Sequence, residues 1–227
     1  QALKSLGTYG FIKGATGYIV GAIKKGSHNL EDFGYLLELI VLYATDLGLG
    51  TCWLGGTFTK SSFAKRINSK AGELVPGVIS VGYIAEKPRR IESLLKRGKN
   101  TDRRLPWEEL FFEDNFDRVL LPKRSREFLS VLNMVRLAPS ASNRQPWRVV
   151  KRGNSCHFYL RRTPGYRESP LVRLTTVADL QRIDMGIAMS HFELTARELE
   201  LDGGWQVSDP KIDLPDGDTE YTVSWVE

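Results

Sequence analysis

The chain is poor in the residues that staple, ligate or anchor. Cys52 and Cys156 are its only cysteines, too few for the disulfide framework of a small secreted domain, so a reducing, cytoplasmic setting is expected. The three histidines, His28, His157 and His191, are scattered and share no metal-ligand spacing with the cysteines, so no metal centre is expected. Its serines lack the G-x-S-x-G context of a nucleophile elbow. Acidic pairs such as Glu108-Glu109 and Glu113-Asp114 read as solvated charges. The longest apolar run, near residues 35–44, is broken by Glu38 and is too short and too polar to span a bilayer, so no membrane partner is expected. With no proton-transfer or nucleophilic constellation in view, hard chemistry would have to come from a cofactor.

What remains is an ordinary globular composition, 41% hydrophobic and 26% charged over 227 residues, enough to bury a core within one domain. The net charge of +5 is spread over short basic groups such as Lys96-Arg97, Arg103-Arg104 and Arg161-Arg162. No nucleic-acid-binding signature accompanies them, and no nucleic-acid partner is expected.

Periodicity predicts short strands at 17–23 and 77–84, strands at WRVVK and CHFYLRR joined through Gly153-Asn154, and a closing strand, YTVSWVE. Long helices are predicted from about Leu30 to Leu49, ended by Gly48 and Gly50, and from Val177 to Leu201. Shorter ones are predicted at SSFAKRI, at PWEELFF and over 125–137, while 86–104 reads as a surface connection. Laying Asp32 on Asp184 also pairs Gly34 with Gly186, Ala44 with Ala196 and Trp53 with Trp205. Shared leucines are cheap on amphipathic helices, but the matched D-x-G and the tryptophan beyond each helix point to a degenerate internal duplication.

Two loops could carry a site. In APSASNRQPW, residues 138–147, Pro139 and Pro146 fix two backbone angles, while Ser140, Ser142, Asn143 and Gln145 offer hydrogen-bonding groups on short or medium stems. This makes a stiff polar shelf suited to a flat, heteroatom-rich ligand, or else a well-satisfied loop between helix and strand. In GLGTCWLGGTF, residues 48–58, Gly55-Gly56 lets a backbone approach a ligand closely, or simply makes a tight connection. Its glycines follow a helix instead of opening one, so it is not the dinucleotide-binding fingerprint.

Together, LAPSASNRQPWRVV and GLGTCWLGG strongly resemble the P-S-x-x-N-x-Q-P-W and W-L-G-G loops of the flavin-dependent nitroreductases, and RRLPWEELF resembles that family's basic segment beside the cofactor phosphate. The motif order resembles the single-chain branch, in which one polypeptide imitates a homodimer. The resemblance implies an α+β nitroreductase-like fold, with a mixed, mostly antiparallel sheet packed by helices. It would form one domain of two pseudo-repeated halves, about 1–105 and 106–227, with the two D-x-G helices crossing at the centre.

It further implies an oxidoreductase using FMN, with NADH or NADPH as reductant and a small-molecule electron acceptor such as a nitroaromatic or quinone, working as a monomer with an internal pseudo-dimer. Pro139, Ser140, Ala141 and Asn143 would line the flavin, and Gln145 would brace their loop with Trp147. Leu54, Gly55 and Gly56 would lie over the other side, with the Gly55 N–H toward flavin N5, and Arg103 and Arg104 would meet the phosphate. Ala141 stands where the family usually has serine. The family's R-R-S-x-R opening is absent, so an N-terminal segment is expected to be missing. Lys123-Arg124-Ser125-Arg126 resembles that motif but lies too close to the serine loop to serve. A scaffold that keeps the fold without turnover is the alternative.

Overall fold

A computed structural model of the chain describes residues 12, 14–56, 58–84, 103–165 and 178–227. The first sheet has the order β1-β3-β2, from β1 (Gly17–Val20), β2 (Leu49–Leu54) and β3 (Val78–Tyr83), and is antiparallel throughout. The second has the order β4-β5-β6-β8-β7, from β4 (Phe111–Glu113), β5 (Trp147–Arg152), β6 (Ser155–Arg161), β7 (Gly204–Gln206) and β8 (Thr219–Val226). Only the β4–β5 pair is parallel. The fold is thus mixed α+β with mostly antiparallel strands, divided between two sheets.

Helix α1 (Asn29–Asp46) buries Leu30, Phe33, Leu37, Val41 and Ala44, a 3-4-4-3 spacing that puts them on one face. Glu31 and Asp32 suit its first turn, and Gly48 takes the left-handed conformation (φ 74°) that releases the chain just beyond it. Helix α2 (Lys60–Arg66) packs Phe63 into a small core with Leu54, Phe58, Val75 and Val78. Helix α3 (Trp107–Leu110) is one turn long, and α4 (Phe128–Leu137) leads into the serine loop. Helix α5 (Leu180–Glu198) is buried on nearly every side, as the central element of the main core should be. The proposed connection at 86–104 lies outside the described residues apart from 103 and 104.

The sequence reading missed β2. LGTCWL, placed in a loop, is a strand paired with β3 from Leu49–Tyr83 to Leu54–Val78. It also missed β7, where Gly204–Gln206 pairs with β8.

Helices α1 and α5 cross with their D-x-G glycines in reciprocal contact. A Cβ on Gly34 would lie 2.1 Å from the Ile183 carbonyl oxygen, and one on Gly186 would lie 1.9 Å from that of Glu31. Only glycine permits so close a backbone approach. Two buried or half-buried carboxylates reinforce the crossing. Glu38 of α1 accepts from Trp53 Nε1 (2.7 Å) and bonds His191 of α5 (3.0 Å). Glu193 of α5 accepts from Trp205 Nε1 (2.7 Å) and from the Tyr35 hydroxyl of α1 (2.8 Å). Each tryptophan is bonded to the helix that precedes it, and each carboxylate ties that helix to the other.

Candidate functional site

The glycine loop and the serine loop, far apart in sequence, meet at one narrow cleft of about 160 Å³. Trp53 and Gly55 line it from the end of β2, with Gly77 ahead of β3. Pro139, Ser140, Ala141 and Ser142 come from the loop after α4, and Leu180, Ile183, Asp184 and Ile187 from the first half of α5. Most of the wall is therefore apolar, with serine hydroxyls, backbone amides and one carboxyl among it.

The serine loop is held by its own bonds. Gln145 N–H donates to Ser140 Oγ (2.9 Å), Asn143 N–H donates to the Ser140 carbonyl (3.0 Å), and Ala141 N–H donates to Asp184 Oδ1 (2.9 Å). Ser142, Asn143 and Gln145 all have positive φ, between 49° and 53°. For residues other than glycine that conformation is uncommon and costs on the order of 1–3 kcal/mol each unless the surroundings enforce it. Here the surroundings do so, and the stiff composition of the segment finds its reason.

Asn143 and Gln145 turn toward the basic segment. Gln145 Oε1 accepts from Leu105 N–H (2.8 Å), and its Nε2 donates to the Arg103 carbonyl (3.2 Å). Asn143 Nδ2 also donates to that carbonyl (2.8 Å), and its Oδ1 accepts from Arg104 Nη1 (3.1 Å). Arg104 Nη2 reaches the Leu137 carbonyl (3.0 Å), which ties residues 103–105 to both ends of the loop. The Arg103 side chain is exposed. Of the sequence candidates, Gly55, Pro139, Ser140 and Ala141 line the cleft directly. The buried Leu54 side chain belongs to the small core beside it, and Gly56 is exposed.

The sequence reading passed over Leu180, Ile183, Asp184 and Ile187 as site residues. Asp184 is only 2% exposed, and burial raises its carboxyl pKa well above the usual value, with nearby Asp179 adding to the shift and the Ala141 N–H opposing it. Its signal was an acid inside the otherwise apolar run from Ile183 to Met189. Lys123, Arg124 and Arg126 line a different, polar cleft with Glu113, Asp114 and Lys151, where Arg124 pairs with Glu113 at 2.8 Å. The two clefts share no residue.

A flavin ring fits this first cleft. Trp53, Pro139, Leu180, Ile183 and Ile187 offer apolar surface to its faces, while Ser140, Ser142 and backbone groups offer polar atoms to its edges. Its volume is below the roughly 300–1,000 Å³ of pockets that enclose a whole small ligand, so it would take the ring and leave a ribityl phosphate outside. Among the described residues no group of three or more His, Cys, Asp or Glu could hold a metal ion, and no helix is long and apolar enough to cross a membrane.

None of the curated proteins matches the chain. Among solved structures it is similar to the crystal structure of a putative nitroreductase from Thermotoga maritima, with a TM-score of 0.52 and 23% identity, over 96% of this chain and 80% of that one. At that identity the likeness supports the fold alone. The family model described as "Putative TM nitroreductase" matches residues 1–196. A match over that much of the sequence, on a fold that presents the glycine and serine loops to one cleft, means that the chain belongs to the TM nitroreductase family, whose fold and kinship point to an oxidoreductase.

Proposed function

We propose that the chain is an FMN-dependent oxidoreductase. The observation that carries this reading is the convergence of Gly55 and residues 139–142 on one largely apolar cleft. Bound FMN would supply the redox chemistry, taking hydride from NADH or NADPH at N5 and passing it to a nitroaromatic, quinone or similar small acceptor. The chain's own part is to bind and orient. Ile183, Ile187 and Leu180 keep water from the ring faces, and the Ala141 amide, fixed by Asp184, sets the height of the serine loop. The N-terminal half of α5 brings the positive end of its helix dipole to the slot, which favours negative charge on a bound ring. Arg103, exposed and beside the serine loop's anchors, would meet the phosphate.

The reciprocal contacts of Gly34 and Gly186, and the matched roles of Glu38 and Glu193, favour a single-chain pseudo-dimer. On this reading the chain works as a cytoplasmic monomer of one domain, with two halves about 1–105 and 106–227.

The test is an anaerobic absorption spectrum of the chain with added FMN, before and after NADH or NADPH. The expected result is bound flavin whose oxidised band bleaches on adding reductant. Bound flavin that stays oxidised with both donors supports a scaffold without turnover. No uptake of flavin overturns the reading.

A further inference from the structure

The second cleft, of about 440 Å³, is lined by Lys123, Arg124, Arg126 and Lys151 together with Glu113 and Asp114. Its volume lies within the roughly 300–1,000 Å³ of pockets that enclose a small molecule. The two acids are already engaged. Glu113 Oε1 meets Arg124 at 2.8 Å, its Oε2 meets Arg118 at 3.1 Å, and Asp114 Oδ2 meets Arg118 at 3.3 Å. Arg118 is not part of the lining, so it neutralises the acids from outside it. Lys123, Arg126 and Lys151 differ from Arg124, since none of the three has a carboxylate within ion-pair distance among the described residues.

Like charges gathered in one concavity repel each other and focus a positive potential on it. Lys151 is only 9% exposed. Its ammonium donates to the Gly153 carbonyl and lies 5.4 Å from the centre of the Phe128 ring. A neutral acceptor and a ring face are no countercharge for a cation so nearly buried. The backbone is held here too. Ser125 is fully buried and its hydroxyl donates to the Pro122 carbonyl at 2.6 Å, which pins the turn that carries Lys123 and Arg124. Asp114 and Arg126 both take positive φ, 64° and 52°, and residues other than glycine held in that conformation cluster at ligand sites. With both acids neutralised, the cleft suits an anion and not a metal cation.

We propose that this cleft is a second binding site of the chain, taking a phosphate group, free or carried by a small molecule. A tetrahedral dianion offers enough oxygens for the Arg126 guanidinium and the Lys123 and Lys151 ammoniums together, and charge-assisted bonds of this kind are the strong ones. A carboxylate, with one charge and two oxygens, would leave part of that positive charge uncompensated. The segment Lys123-Arg124-Ser125-Arg126 thus has a use of its own. It stands apart from the flavin reading, because the two clefts share no residue.

The test is equilibrium dialysis of the full chain with radiolabelled inorganic phosphate, then displacement of the label by phenyl phosphate, at about 0.15 M ionic strength. Both are run without FMN and at saturating FMN. Lys123→Ala/Arg126→Ala truncates two exposed side chains and should weaken phosphate about tenfold or more. Lys24→Ala/Lys25→Ala removes as much charge from exposed residues outside the cleft and should stay within about twofold. Arg118→Ala frees Glu113 and Asp114 to repel the probe, and should weaken phosphate although Arg118 does not line the site.

Stronger binding of phenyl phosphate than of inorganic phosphate identifies the occupant as a phosphorylated organic molecule, and the reverse order identifies it as the free ion. No retention of phosphate, or equal losses in the two double variants, overturns the proposal. Competitive loss of phosphate on adding FMN overturns it as well, since the cleft would then hold the flavin's own phosphate. Failure of FMN to bind overturns the flavin reading alone and leaves the phosphate result to stand.

Discussion

Glu38 is 1% exposed and serves two partners, the indole of Trp53 at the cleft and the imidazole of His191 on α5. Removing it takes the partner from two half-buried polar groups at once. Glu38→Ala is therefore expected to cost at least about 1–3 kcal/mol in urea denaturation and to weaken FMN, because Trp53 loses its anchor. Glu193→Ala breaks the matching pair, Tyr35 and Trp205, away from the cleft, and should lower stability without changing FMN affinity. Asp184 makes a prediction about pH. Its folded-state pKa is raised above the usual 3.8, so between those values the folded chain keeps a proton that the unfolded chain has released, and stability falls as pH rises. The stability it contributes is fully present below pH 3.8 and is lost as pH climbs toward the raised value. Asp184→Asn should lack that fall, so its stability relative to wild type should increase with pH, measured as the shift in denaturation midpoint at matched pH values. Gly55, Pro139, Ser140 and Ala141 were legible in the sequence because each sits in a motif whose chemistry is local. Asp184 was harder to see, since its role depends on Ala141, 43 residues earlier, closing over it.

At the scale of elements, the crossing of α1 and α5 is the least tolerant part of the fold. A Cβ at residue 186 would meet three backbone atoms, the Glu31 oxygen and carbon and the Tyr35 nitrogen, none of which can rotate away. Gly186→Ala must separate the helices and is expected to cost about 3 kcal/mol or more in thermal denaturation. Gly17→Ala, in β1 with nothing within 4 Å of the added carbon, should change stability by less than about 1 kcal/mol. Both long helices were readable from periodicity, while their crossing was expected only through the family resemblance, because the glycines do not name their partner helix in sequence. The strand β2 was not readable. Its residues Leu49 to Leu54 look like a glycine-rich exit from α1, and what makes them a strand is β3, whose partners lie 24 to 34 residues further on. Pairing of that kind is set by tertiary context, not by local propensity. The short β7 is hidden for the same reason, since β8 supplies its ladder.

For the whole molecule, the two halves of the proposed pseudo-dimer would not be equivalent as sites. The cleft needs a glycine loop after α1 and a serine loop ahead of α5, and each occurs once. Beyond α5, the overlay that pairs Trp53 with Trp205 sets Val207-Ser208 against Gly55-Gly56, and the glycine pair ahead of Trp205, Gly203-Gly204, is filled. Trp225 packs on Gly203 so closely that a Cβ there would lie 2.5 Å from its indole nitrogen. Trp205, Trp225, Phe158 and Phe192 stack edge to face or tilted around it, with centroids 5.2–5.6 Å apart. Aromatic contacts of this kind add about 0.5–1.5 kcal/mol each beyond the area they bury. The glycine exit beyond α5 is thus taken up by core packing, and a ligand there would have to displace two tryptophans. Flavin is therefore expected to bind at about one per chain, read as absorbance of protein-bound FMN against protein concentration after gel filtration. A ratio near two would mean that the aromatic cluster opens. Trp225→Ala is the variant that separates these possibilities. It should lower stability by about 3–5 kcal/mol while the FMN ratio stays near one, because vacating that space restores no serine loop beside it.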